Sequence, residues 1–169
     1  MNINSKKSFI IGLLSLFLIG SVQAADVQLT ELTNFKADAA EAKAKKLPIL
    51  LMFSASYCGF CTIVKEEFLK PMKISGDYTD KVIVRILELD SGDDVIDIDG
   101  KQIPAVDIAQ RYKVYLTPTL IFIDSNGKEL VQQMVGVTTV DFYGGYLDDA
   151  INSSLTQLRN GHRLTHKSE

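Results

Sequence analysis

Pro48-Ile49-Leu50-Leu51-Met52-Phe53-Ser54, with Cys58-Gly59-Phe60-Cys61 just beyond it, is the stretch on which the reading of this chain turns. The apolar run is too short for a free-standing helix and suits a strand buried on both faces. After the cysteines, Ile63, Val64, Phe68 and Leu69 recur at helical spacing, and Pro71 marks the expected end of that helix. Strand, Cys-x-x-Cys and helix thus follow one another. A cysteine at the first turn of a helix meets unpaired amides and the positive end of the dipole, which favour thiolate over thiol, so Cys58 is expected to ionise easily. Cys61, three residues on along the same face, is close enough to pair with it. Cys58 is therefore the candidate nucleophile, forming a mixed disulfide with a substrate, and Cys61 the thiol that then releases the reduced substrate. Run backwards, the same steps oxidise substrates.

Two other readings compete for these residues. A purely stabilising bridge would close a four-residue loop, worth only about 2 kcal/mol in the chain-entropy picture against about 3 for a loop of fifteen. Stability alone would place the cysteines further apart. A zinc site would need His162 and His166, spaced H-x3-H, to complete a two-Cys, two-His set. About a hundred residues separate the halves, against the 12 to 15 of a zinc finger. The histidines fall in a polar stretch, 161–169, that reads as a solvated tail, and no metal is expected.

Outward from the cysteines, residues 29–47 are rich in Ala, Lys and Glu with Thr33 or Asn34 available as N-cap, and predict a surface helix stopped by Pro48. Residues 81–89 form a near-continuous β-favouring run, read as a second central strand. Residues 95–103 alternate around Asp99-Gly100 and predict a small hairpin, followed by a short helix over 105–112. Residues 120–123 and 129–135, joined by Ser125-Asn126-Gly127-Lys128, predict a second hairpin in which Asn-Gly supplies positive φ angles. A final helix is expected over 139–158. The order gives an α/β domain, a mixed sheet with helices on both faces.

The chain has 169 residues, enough for one domain with a sizeable core. Lys6 and Lys7 precede an apolar run over 9–19 and the small-residue site Val22-Gln23-Ala24, so residues 1–24 read as a signal peptide cleaved after Ala24. The run is shorter than the ~20 residues that span a bilayer. Domain 25–160 and tail 161–169 would remain, in a periplasm or outside the cell. Formal net charge is −3, and removing the leader takes away two lysines and no acid. A mildly acidic surface argues against nucleic acid or anionic lipid as the main partner. Outside the cytosol disulfides persist, and the chain's two cysteines are the Cys-x-x-Cys pair itself.

Tyr57-Cys58-Gly59-Phe60-Cys61 resembles the aromatic-Cys-Gly-x-Cys site of the thioredoxin superfamily, and Thr117-Pro118-Thr119 resembles its cis-proline loop. Gly136 resembles the glycine beside the family's substrate groove. The likeness covers approximately residues 29–158, and the Asp-Gly insertion ahead of Ala109-Gln110-Arg111-Tyr112-Lys113-Val114 is similar to exported proteins of the SoxW type. It implies a thioredoxin fold with a small β-hairpin insertion before the cis-Pro loop. Pro118 would be cis beside the cysteines, Thr117 would offer backbone groups to a bound peptide, and Gly59 and Gly136 would line the groove. Tyr57 is expected to pack beside the site and contact partners, and Phe60 is either an exposed aromatic that meets substrate or a tolerated spacer. The chain departs from the family where thioredoxins carry Trp before the first cysteine and Pro before the second. The family's buried aspartate falls at Met52, which moves no proton. Glu88 is a conceivable substitute, although an acid paired with a surface lysine is the plainer reading.

The function so implied is reduction or exchange of disulfides in exported proteins, with no cofactor, and with electrons from a membrane carrier of the DsbD or CcdA type. An oxidase would use the same residues at a different potential. A binding module would use the groove without turnover and would survive Cys58→Ser. No dimerisation segment is visible, so a monomer is expected.

Overall fold

The computed structural model describes residues 27–165. Residues 1–24, read above as a signal peptide, and His166 lie outside the described residues. Eight helical and strand segments surround the cysteines in the order α1 (Phe35–Lys45), β1 (Ile49–Ser54), α2 (Gly59–Ile63), a π-helical segment (Val64–Leu69), α3 (Lys70–Ser75), β2 (Ile83–Glu88), β3 (Asp94–Ile96) and β4 (Gln102–Pro104). They are followed by α4 (Ala105–Arg111), β5 (Thr119–Ile123), β6 (Met134–Val135) and α5 (Val140–Thr165).

The main sheet has the order β2-β1-β5-β6, with β1 parallel to β2 and antiparallel to β5, and β5 antiparallel to β6. Every residue of β1 and β5 is buried, because successive side chains enter opposite cores. Ile49, Leu51 and Phe53 pack with Phe35 of α1 and Ile108 of α4. Leu50 and Met52 pack with Cys61, Val64 and Leu69 and with Leu147 and Ile151 of α5. This is the mixed sheet with helices on both faces that the element order implies.

Several boundaries differ from expectation, each for a physical reason. The first helix begins at Phe35 because the Asn34 side chain accepts the Ala37 N–H, 2.9 Å. Residues 30–32 are instead extended along β2, where Leu32 N–H donates to Ile86 O (2.7 Å) and Ile86 N–H to Thr30 O (2.9 Å). β2 is one of the two outer strands of this sheet, and its edge is covered by that segment. Pro71 does not end the helix after the cysteines. The Lys70 N–H bonds back to Lys65 O, five residues away, in the wider turn of the π-helical segment, and the helix continues through Pro71 to Ser75. That wider turn takes up the missing N–H and the ring bulk that would break a regular helix.

In the 124–129 turn only Gly127 has positive φ, +77°. Asn126 stays in ordinary backbone space because the Asp124 carboxylate accepts the N–H of Asn126 (2.8 Å) and of Lys128 (2.9 Å). The last helix runs past Leu158 to Thr165, taking in part of the stretch read as tail. The expected hairpin of β3 and β4 forms a separate two-stranded sheet, pinned to α4 by Asp97, whose two carboxylate oxygens accept from Arg111, one at 2.8 Å.

Candidate active site

Chain turns decide where the sulfurs sit. β1 ends at Ser54, and the chain folds back so that Cys58 N–H donates to Ala55 O, 3.1 Å. Cys58 is the N-cap of the helix, with extended backbone (φ −91°, ψ 99°), and its Sγ accepts the Cys61 N–H at 3.1 Å. A sulfur in that position is held by a helix amide, which stabilises negative charge on it. The two sulfurs are joined, with Cα atoms 5.2 Å apart.

The pair is unequal. Cys61 is fully buried in the core that β1 shares with its own helix and α5, while Cys58 is half-exposed at the surface. A partner sulfur can reach Cys58, and Cys61 is reached from Cys58. Around them Tyr57 is 85% and Phe60 54% exposed, so both stand out from the surface instead of packing beside the site. A Cβ added at Gly59 would meet nothing within 4 Å, which leaves its face open as well.

The other sequence-identified residues come to the same end of the sheet, because β5 runs antiparallel to β1 and begins opposite its end, Thr119 facing Phe53. The Thr117–Pro118 bond is cis. Pro118 is buried and Thr117 half-buried. Thr119 Oγ1 donates to Leu116 O at 2.8 Å and ties off the loop, while Gly136, at φ +68°, donates its N–H to Pro118 O at 2.7 Å. Gly136 therefore clamps the proline loop onto β6, in a backbone conformation that L side chains rarely adopt.

Three features went unread in the sequence. Asp90, just beyond β2, accepts the backbone N–H of Ser56 at 3.0 Å and its hydroxyl too, and these bonds, the hydroxyl's foremost, lower the Asp90 pKa. It thereby fixes the turn that carries Cys58. Tyr115 (82% exposed) and Leu116 (65%) extend the apolar rim beyond the proline loop. Lys65 joins Glu88 (2.9 Å) and Ser54 Oγ (3.1 Å) beneath the site. Glu88 is thus the lysine-paired acid of the plainer reading, except that its partner is only 24% exposed and lies on the cysteine-bearing helix. The one sequence signal for it was spacing, since Lys65 follows Cys61 by four. At Met52 the registered neighbours are Ile86 and Leu120, so that position is apolar on every side.

The family model that matches the chain describes a thioredoxin-like domain and spans residues 35–151. Among solved structures, the chain is similar to a DsbH oxidoreductase (17% identity, TM-score 0.55, covering 79% of this chain and 92% of that one). It is also similar to oxidised thioredoxin O2 from Arabidopsis thaliana (22% identity, TM-score 0.49, covering 72% and 92%). A search of curated proteins gives no match.

Proposed function

The chain belongs to the thioredoxin-like domain family, and on that premise we propose that it is a periplasmic enzyme that reduces or exchanges disulfides of exported proteins. The fold, with a Cys-x-x-Cys pair at disulfide distance, makes it a thiol–disulfide oxidoreductase; compartment, clients and electron source make up the proposal. The observation that carries it is the inequality of the sulfurs, one half-exposed at a helix N-terminus and one wholly buried behind it.

The chemistry balances with those two atoms alone. Cys58 thiolate attacks a client disulfide, the client S–S bond breaks, and the departing client sulfur leaves as thiolate and takes a proton. Cys61 loses its proton and attacks Cys58 Sγ, forming the Cys58–Cys61 bond and breaking the bond to the client, which departs reduced by two electrons. The loop of Thr117 and Pro118, with Gly136, receives the client backbone, and exposed Tyr57, Gly59 and Phe60 meet its side chains.

The leader supports export, and the kinship to SoxW-type proteins rests on the hairpin inserted ahead of α4. A membrane carrier of the DsbD or CcdA type would restore the dithiol. One observation favours the opposite direction, because the helix amide on Cys58 Sγ stabilises the reduced state and so strengthens an oxidant. Equilibrating residues 25–169 with glutathione buffers decides the matter. A potential near or below about −220 mV supports the reductase, and one above about −150 mV makes the protein a disulfide donor.

A further inference from the structure

Ser54, Lys65 and Glu88 meet on the face of the sheet that packs against Cys61. Alternation along β1 places Ser54 on the side of Leu50 and Met52, which share their core with Cys61. Ser54 is fully buried, and the ammonium of Lys65 bridges its hydroxyl (3.1 Å) and Glu88 (2.9 Å), the two charged side chains being 24% and 21% exposed. Two short paths lead from this cluster to the sulfurs. Lys65 lies one turn beyond Cys61 on the same helix, and Ser54 immediately precedes Ala55, whose carbonyl receives the Cys58 N–H. The charge of Lys65 also reaches Asp90, where it adds a smaller lowering to that of Ser56. The charged groups tied to the cysteine turn are thus Lys65 from the helix, Glu88 from β2 and Asp90 just past it.

A half-buried ion pair pays desolvation that apolar residues of the same size would not. An apolar pair would serve packing here as Met52, Ile86 and Leu120 do next to it. What only a charged pair does is place charge on the helix and at the strand end that carry thiols which must ionise to react. We propose that Lys65 and Glu88 are positioning residues for the exchange: the ammonium favours the thiolate, the carboxylate opposes it, and their balance sets the equilibrium between dithiol and disulfide. The inference rests on the oxidoreductase reading above and assigns these residues a part in it.

The test uses the parent protein and the variants K65M, E88Q, K65M/E88Q and K65R, each equilibrated with glutathione, with thiolate formation followed by ultraviolet absorbance against pH. K65M leaves the carboxylate uncompensated, so Cys58 ionises at higher pH and the equilibrium moves about tenfold toward the disulfide. E88Q frees the ammonium and moves both readouts the opposite way by a similar factor. For a two-electron couple tenfold corresponds to about 30 mV. The double variant and K65R return to within about threefold of the parent. Opposite signs with cancellation in the double variant are the mark of charge, which lost packing cannot produce. K65M and E88Q that leave the equilibrium unmoved, or move it in the same direction, overturn the proposal. If K65M does not fold, E88Q decides it by the direction of its shift and K65R by staying with the parent. A parent protein that does not exchange with glutathione at all overturns the oxidoreductase reading, and this inference with it.

Discussion

At the scale of single residues, the site works by giving two chemically identical thiols different surroundings. Cys58 caps a helix with its sulfur on an amide and half in solvent, whereas Cys61 lies in the core among Val64, Leu69 and Met52. Accessibility and thiolate character therefore both favour Cys58. In the reduced protein at neutral pH, iodoacetamide should modify Cys58 at least about tenfold faster than Cys61 by that argument, as peptide mass mapping would show. Equal rates would sink the assignment of nucleophile. The same asymmetry predicts that Cys61→Ser accumulates mixed disulfides with clients and Cys58→Ser accumulates none, on non-reducing gels. Tyr57 and Phe60 carry a different expectation. Both stand exposed, so replacing either by Ala should change stability by no more than about 0.5 kcal/mol. The rate with a protein disulfide should fall while that with a small disulfide stays, and equal losses on both would remove them from the client surface.

At the scale of elements, the inserted hairpin shows how a surface addition is held in place. Asp97 is buried and its carboxylate meets the Arg111 guanidinium of α4, which lowers its pKa, the hydrogen bond being the chief cause. A depressed carboxyl contributes stability that is complete above its unfolded value of about 3.9 and is lost as pH falls through the lower folded one. Asp97→Asn should cost about 1–3 kcal/mol at neutral pH, and the gap between the urea midpoints of parent and variant should close as pH drops below about 4. A gap that persists at acid pH would mean packing, not charge, holds the hairpin. Gly127 is a second such point: at φ +77°, with an added Cβ 2.9 Å from the Tyr112 hydroxyl, Gly127→Ala should cost about 1–3 kcal/mol in the same measurement. These elements also show what a sequence makes legible. β1, the cysteine helix, α4 and both hairpins could be read because each is local: a period, a Gly, a cap. Pro71 misled because a π-helical turn absorbs it, and a wider turn leaves no composition signal. Residues 30–32 misled because their partner, Ile86, is remote in sequence, and so is Asp90 from Ser56. The site's sulfurs and proline loop were legible as motifs and Glu88 as a lysine-paired acid, while its partner Lys65 and the hold of Asp90 on Ser56 are contacts that only the folded sheet creates.

At the scale of the whole molecule, two cores back one sheet, and the reactive pair sits where β1 and β5 meet at one end of it. The central strands β1 and β5 carry no charge and have a neighbour on each side. The direction of electron flow is a property of surroundings as much as of fold. The fold family spans potentials from about −270 mV for thioredoxin to about −120 mV for DsbA, so compartment and donor decide what the pair does in a cell. If the chain is exported and fed by a membrane carrier, its mature form should begin at Ala25 and be recovered from the periplasm. Acid quenching followed by alkylation should then trap Cys58 and Cys61 chiefly as thiols. In cells lacking the carrier the same trapping should find the disulfide, since an oxidising compartment leaves no other source of electrons. A pair that is oxidised whether or not the carrier is present would make the protein a donor of disulfides, and the helix amide on Cys58 Sγ would then be read as the device that stabilises its spent, reduced form.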